Sequence, residues 1–184
     1  MGTLDGAIGP GYTSYALDKE SIWRRIKLKV FAQSVADSAR QGTITDLEGF
    51  ARVASAAAAP FQKPGDDAVS EVRCEAYLED LRRVLIGDGW HALRNHGKYA
   101  LPFNAFRDSG FKPEFRDGGN QVQHAMAGIY ITYIYGFYAR HYAYWREKEA
   151  PDLALYDATF QIGLDIDGSN FTLLPIIIRN RLGA

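Results

Sequence analysis

The sequence contains a single cysteine, Cys74, so no disulfide bond can form within the chain. Cys74 belongs to an apolar helical row with Leu78, Leu81 and Leu85, and nothing nearby is placed to lower its pKa. We therefore expect a small buried side chain rather than a reactive nucleophile.

The sequence also lacks an excess of charge of either sign, since its formal net charge is -1 at pH 7. General nucleic-acid binding relies on a basic surface, so no nucleic-acid partner is expected. Hydrophobic residues make up 47% and charged residues 23% of the chain, which is the balance of a globular protein. Its 184 residues suit a single domain that spans 1–184.

The start of the chain lacks the features of a signal peptide, because Met1 to Asp5 offer neither a basic start nor an apolar run. A cytoplasmic location is the default expectation, and export by a route without a signal stays open. Residues 1–17 are rich in glycine, tyrosine and small polar residues, which predicts an irregular arm.

Motifs for common cofactors are missing as well. No Walker loop, dinucleotide fingerprint, nucleophile elbow or kinase signature occurs, and no His, Cys and Asp set has zinc spacing. The run from Asp165 to Asn170 has the composition of a calcium loop, but its glycine falls at the fourth position and an isoleucine at the twelfth. An EF-hand needs glycine at the sixth position and glutamate at the twelfth. We therefore predict no metal and no cofactor, and prefer a helix-ending turn.

Apolar residues recur at helical spacing through most of the chain. This pattern predicts a mainly α, single-domain bundle of about five to six helices. The first helix is predicted from Asp18 to Arg40. Thr45 followed by Glu48 is a capping box, and it predicts the start of an Ala-rich helix that stops at Pro60.

A third, amphipathic helix is predicted through the row that begins at Cys74, with its end at Gly87. The connection over residues 96–119 is rich in Gly, Pro, Asn and Asp. It also carries five aromatic residues, more than a polar loop needs, so we expect it to pack on the body of the protein. The aromatic residues are Tyr99, Phe103, Phe106, Phe111 and Phe115.

The longest uncharged stretch predicts a central buried helix over residues 118–149. Asp, Glu, Lys and Arg are all missing from Gly118 to Ala139. A stable membrane span is disfavoured, because polar residues occupy its start and six tyrosines fall between 130 and 144. Gly128 and Gly136 lie on a face of small residues, which indicates either close packing against a neighbouring backbone or a groove for a ligand, and we favour close packing. The Ala-rich second helix is the natural partner.

One more helix is predicted over 151–164, because Pro151 suits a first helical turn and Asp152 suits a helix N-terminus. Residues 165–184 are expected to form an extended tail. Within it, the β-branched run 176–178 predicts a strand, which Pro175 restricts to a sheet edge or a packed arm.

The densest polar group consists of Asp117, Asn120, Gln121 and His124, at the start of the central helix. Residues three and four apart share a helix face, and a histidine that is oriented by a carboxylate can act as a general base. Asp117, or Asp157 on the last helix, is the candidate partner of His124. The same group also fits a helix cap with a buried polar cluster, so both interpretations stay open.

Two functions follow from these patterns. The first is a helical binding or interaction module, with an aromatic-rich cleft near the start of the central helix for a protein or small-molecule ligand. The second is a small hydrolase-like effector or toxin domain, in which His124 is the general base and Asp117 or Asp157 orients it. Neither a substrate nor an oligomeric state is indicated. The candidate binding residues are Asn120, Gln121, Gln161 and Tyr135.

Overall fold

The structure is a computed structural model that describes residues 19–62, 70–87, 98–102, 104–141 and 149–184. Over these ranges the chain is mainly helical, as the sequence predicts. The described residues contain no strand, so the strand predicted over 176–178 is wrong. The predicted arm over residues 1–17 and the ring of Phe103 lie outside the described residues. The helices described from end to end are α1 (Lys19–Arg40), α2 (Asp46–Ala58), α3 (Ser70–Leu85), α4 (Gln121–Tyr135), α5 (Ala150–Asp165) and α6 (Leu174–Leu182). Residues 138–141 are also helical.

Helix α2 begins where the capping box predicts. The Thr45 hydroxyl accepts a 3.1 Å hydrogen bond from the backbone N–H of Glu48. The Glu48 carboxylate accepts from Arg52 and Arg179 instead of closing the second half of the box. The start of α2 is therefore fixed by its cap and also linked to α6.

Cys74 is fully buried in the core that α1, α2 and α3 share. This burial raises the pKa of the thiol to about 12. The sequence-based expectation of an inert, buried cysteine is confirmed.

The connection before α4 packs on the body, as its aromatic residues predict. Phe106, Phe111 and Phe115 are all buried in the main core. Phe111 and Gly183 form an isolated antiparallel bridge. The flanking amides complete it, since Lys112 donates to the Leu182 carbonyl (2.9 Å) and Ala184 donates to the Gly110 carbonyl (3.1 Å). We call this pairing of residues 110–112 with residues 182–184 the clasp.

The central helix predicted over about residues 118–149 is interrupted. Helix α4 begins at Gln121, close to the predicted start, but it ends at Tyr135. Gly136 follows with a φ of 55°, a conformation that favours glycine and terminates the helix, so its predicted place inside a helix is wrong. Among the described residues, no helix is both long enough and apolar enough to cross a membrane.

The prediction of an extended tail over residues 165–184 is wrong. The chain turns after α5, passes through a 3-10 helix at Phe171–Leu173 and continues as α6. Pro175 lies in the first turn of α6, where its missing N–H leaves no hydrogen bond unmade. The turn itself was expected, and Asp167 forms it by accepting hydrogen bonds from the backbone N–H groups of Ser169 and Asn170.

The closest neighbour of α4 is α5, rather than the Ala-rich α2 that the sequence suggested. A methyl group added at Gly163 of α5 would lie 2.6 Å from the Ile129 carbonyl oxygen, and one added at Gly128 would overlap the Thr159 hydroxyl. Close packing at Gly128 is therefore confirmed, with a different partner. Because Gly128 meets Thr159 and Ile129 meets Gly163, the two helices run parallel and their starts lie side by side.

Candidate functional site

The adjacent starts of α4 and α5 bring together a histidine and a buried carboxylate. His124 Nδ1 lies 3.5 Å from Asp152 Oδ1, and the two side chains are 18% and 7% exposed. Asp152 Oδ1 is buried and has no hydrogen-bond partner. Leaving a charged oxygen buried without a donor is costly, so this position favours a donor or a cation beside it.

Two more carboxylates complete the site. One oxygen from each of Asp117, Glu149 and Asp152 lies within 4.8 Å of the other two, and we call these three residues the carboxylate cluster. Among the described residues, no lysine or arginine pairs with any of them. Two like charges about 4 Å apart repel by about 1 kcal/mol in water, and by more where water is excluded. The cluster therefore attracts positive charge.

Local structure explains the position of each carboxylate. Asp117 Oδ1 accepts a 2.6 Å hydrogen bond from the N–H of Gly119, which closes a tight turn just before α4. Glu149 is the N-cap residue of α5, and Asp152 lies in its first turn, where the helix dipole favours a negative charge. The three groups meet because the starts of the two helices are neighbours.

Asn120 and Gln121 have structural partners. Asn120 donates to the side-chain oxygen of Gln123 (2.9 Å), and Gln123 in turn donates to the Leu85 carbonyl of α3 (3.1 Å). Gln121 donates to the Phe115 carbonyl (2.6 Å) and is fully buried. These bonds fix the start of α4 on its neighbours, which is the buried polar cluster that the sequence left as one alternative.

The predicted pairing of Asp157 with His124 is wrong. Asp157 is exposed and lies 3.5 Å from Arg140. Successive helical residues are about 100° apart, so Asp157 lies about 140° around α5 from Asp152. The carboxylate beside His124 therefore comes from the first turn of α5.

Gln161 and Tyr135 lie apart from the other candidate binding residues. The exposed Gln161 donates to Asp165 (2.8 Å), on the last turns of α5. Tyr135 is exposed at the end of α4, roughly 20 Å from the helix start at 1.5 Å per residue. Neither position supports a role for Gln161 or Tyr135 beside His124.

Sequence reasoning missed Asp152 and Glu149 as members of the site. The available signal was Pro151, which marks a helix start and so places Glu149 and Asp152 at a helix N-terminus. Pro151 does not indicate which residues lie beside this turn, so the spacing could not predict its contact with His124.

Phe106, Phe111 and Phe115 of the connection do not line an open cleft, since all three are core residues. Two cavities lie elsewhere. One of about 490 Å³ lies between α1 and α2 beside Trp23 and Phe31, and one of about 620 Å³ lies between the end of α1 and residues 104–109. Neither is lined by a residue of the carboxylate cluster.

Comparison with known proteins finds no matching family model, no matching curated protein and no matching solved structure.

Proposed function

We propose that this chain is a small hydrolytic enzyme that reacts at the adjacent starts of α4 and α5, with His124 as its general base and Asp152 as the residue that orients it. The observation that carries the proposal is the 3.5 Å approach of His124 Nδ1 to Asp152 Oδ1, with the carboxylate buried and the imidazole partly exposed. Catalytic hydrogen bonds are often long in the free enzyme and shorten when substrate binds.

The chemistry follows from the two ring nitrogens. A carboxylate beside Nδ1 favours the tautomer with its proton on Nδ1, which leaves Nε2 to accept a proton from water. The water oxygen then bonds to the carbon or phosphorus of the scissile bond, and the imidazolium returns the proton to the leaving group. The negative charge of Asp152 stabilises the imidazolium during this step.

The experiment measures hydrolysis of chromogenic esters, phosphoesters and amides by the full chain. We expect His124→Gln to lower the rate by roughly 100-fold to 10,000-fold, the usual contribution of a general base. Asp152→Asn is expected to lower it too, because an amide favours the wrong tautomer. His141→Gln, at an exposed histidine beyond α4, is the matched control and should leave the rate unchanged.

A binding module without chemistry is the other function that the sequence suggested. It predicts no hydrolysis above background with any of the three substrate classes, or the same rate in wild type and His124→Gln. Either result would overturn the enzymatic proposal, provided that circular dichroism shows both proteins folded.

A further inference from the structure

We infer that the carboxylate cluster of Asp117, Glu149 and Asp152 binds a hard divalent cation, of the class of Ca²⁺, Mg²⁺ and Mn²⁺. The inference names a cofactor for the site, and its catalytic consequence rests on the proposed function, whereas cation binding itself does not. Two observations support it: the convergence of three carboxylates, and a buried oxygen of Asp152 that accepts no hydrogen bond and has His124 Nδ1 3.5 Å away.

The first observation concerns distance. Three carboxylate oxygens lie within 4.8 Å of one another. Ca²⁺ binds oxygen at about 2.3–2.6 Å, so ligands on opposite sides of it are about 5 Å apart. The spacing admits Ca²⁺ as it stands, and Mg²⁺ or Mn²⁺ after the oxygens move slightly closer. The exposed positions of Asp117 and Glu149 leave room for water to fill the remaining coordination sites.

The second observation sets Asp152 apart from the other buried carboxylates. Among the described residues, the buried carboxylates are Asp46, Asp80 and Asp152. Asp80 accepts hydrogen bonds from two arginines, and Asp46 accepts from the backbone and hydroxyl of Ser109. By contrast, Asp152 Oδ1 is buried and accepts no hydrogen bond, and the Asp152 side chain is only 7% exposed. The nearest ionisable group is His124, which is charged only when it is protonated, so a cation among the three carboxylates would supply a permanent positive charge.

The donor chemistry selects the class of ion. Carboxylate oxygens are hard ligands, which suit Ca²⁺, Mg²⁺ and Mn²⁺ better than thiophilic metals. The positive end of the α5 dipole opposes a cation, but it amounts to roughly half a charge against three carboxylates. His124 contacts Asp152 and is not one of the three clustered groups, so Asp152 connects the cation to the proposed base.

If the site is catalytic, the cation and His124 have different roles in the reaction. A cation held by the cluster binds the attacking water and makes it more acidic. His124, whose Nδ1 lies 3.5 Å from Asp152 Oδ1, would then take the proton from that water.

The binding experiment titrates the full chain with CaCl₂, MgCl₂ and MnCl₂ in a calorimeter. We expect saturable binding of one ion per chain, and a Kd that is at least about tenfold weaker in Asp117→Asn, Glu149→Gln and Asp152→Asn. Asp157→Asn removes a carboxylate from the same helix that pairs with Arg140 instead, and it should leave the Kd unchanged. No saturable binding of any of the three ions, or a Kd that the cluster variants do not change, overturns the inference.

Folding of the variants is checked separately. Asp117 and Glu149 are exposed, so their amide variants test the site even if Asp152→Asn fails to fold. In Asp117→Asn the amide oxygen still accepts from the Gly119 N–H, so the turn before α4 is retained. A loss of binding in these two variants with an unchanged melting temperature supports direct ligation.

The two proposals fail in distinguishable ways. Hydrolysis that depends on His124 but persists in EDTA, together with no calorimetric binding, removes the cation and leaves the enzyme. Binding that depends on the cluster, together with hydrolysis that His124→Gln does not change, removes the enzyme and leaves the cation site.

Discussion

Arg25 and Asp80 form an ion pair inside the protein, where Arg25 Nε donates a 2.6 Å hydrogen bond to Asp80 Oδ1 and neither side chain is more than 3% exposed. Arg24 Nε donates to the other oxygen of Asp80 at 2.8 Å. These bonds join α1 to α3. Because the charges are shielded from water, removal of one partner leaves the other buried without compensation.

We therefore expect Asp80→Ala to lower the free energy of unfolding by roughly 3–5 kcal/mol, the usual cost of breaking a buried ion pair. Urea denaturation followed by circular dichroism measures the change. Asp37→Ala is the control, because Asp37 pairs with Arg40 on the surface and such pairs contribute about 0–1 kcal/mol. Equal losses in the two variants would show that Asp80 is not a structural anchor.

The contact between α4 and α5 leads to a second prediction. Gly163→Ala is expected to destabilise the protein by roughly 1–3 kcal/mol, because the added methyl group meets the Ile129 carbonyl oxygen at 2.6 Å. In an open helix the same change stabilises by about 1 kcal/mol. Thermal or urea unfolding gives the sign directly, and a stabilised Gly163→Ala variant would contradict the packing described.

Gly128 provides the matched comparison for that prediction. A methyl group there meets the side chain of Thr159, so Thr159→Ala should restore part of the stability that Gly128→Ala loses. Thr132→Ala should restore less in Gly163→Ala, because the backbone oxygen of Ile129 remains in place. The double-mutant cycles separate side-chain overlap from backbone overlap.

A third prediction concerns acid stability and Glu79. Burial acts to raise the pKa of Glu79, but the hydrogen bonds and charge of Arg82 outweigh it. With further bonds from Tyr130 and Arg83, they lower the pKa from an ordinary 4.5 to about 2. A folded-state pKa below the unfolded one stabilises the protein above pH 4.5, and this contribution disappears as the pH falls towards 2.

The difference corresponds to about 3 kcal/mol at neutral pH. We expect Glu79→Gln to lower the free energy of unfolding by that order at pH 7 and by progressively less as the pH approaches 2. Urea unfolding at several pH values measures this trend. Glu114→Gln, at an exposed position, serves as the control. If Glu79→Gln lowers the free energy of unfolding by the same amount from pH 7 to pH 2.5, the lowered pKa of Glu79 is contradicted.

Much of the fold could be predicted from local patterns. The periodicity of apolar residues gave α1 and α3, and the Thr45 cap gave the start of α2, because each signal is contained within one helix. Helix α6 was missed because Pro175 and the β-branched residues after it have a strand-like local preference. Packing favours the helix over the strand, because Leu174 and Ile178 lie four residues apart and are both buried on the same side of the helix.

The candidate site was predictable in part. His124 and Asp117 were identified from the polar group at the start of α4, and both lie at the junction that the structure describes. Asp152 was assigned only to a helix N-terminus, because its role depends on α5 running parallel to α4. That direction is set by contacts such as Gly163 with Ile129, between residues far apart in sequence. Residue spacing within one helix carries no information about it.

The clasp joins residues 110–112 to the end of α6, through the bonds of Lys112 and Ala184. Arg116, next to Asp117, donates to the Phe111 carbonyl within the clasp, so we expect opening of the clasp and displacement of Asp117 to be thermodynamically coupled. An ion bound as inferred between Asp117 and Asp152 would lower the population of the open form, and amide hydrogens of the clasp would then exchange with solvent more slowly. By the same reciprocity, a substitution in α6 that loosens the clasp would weaken ion binding without touching a ligand.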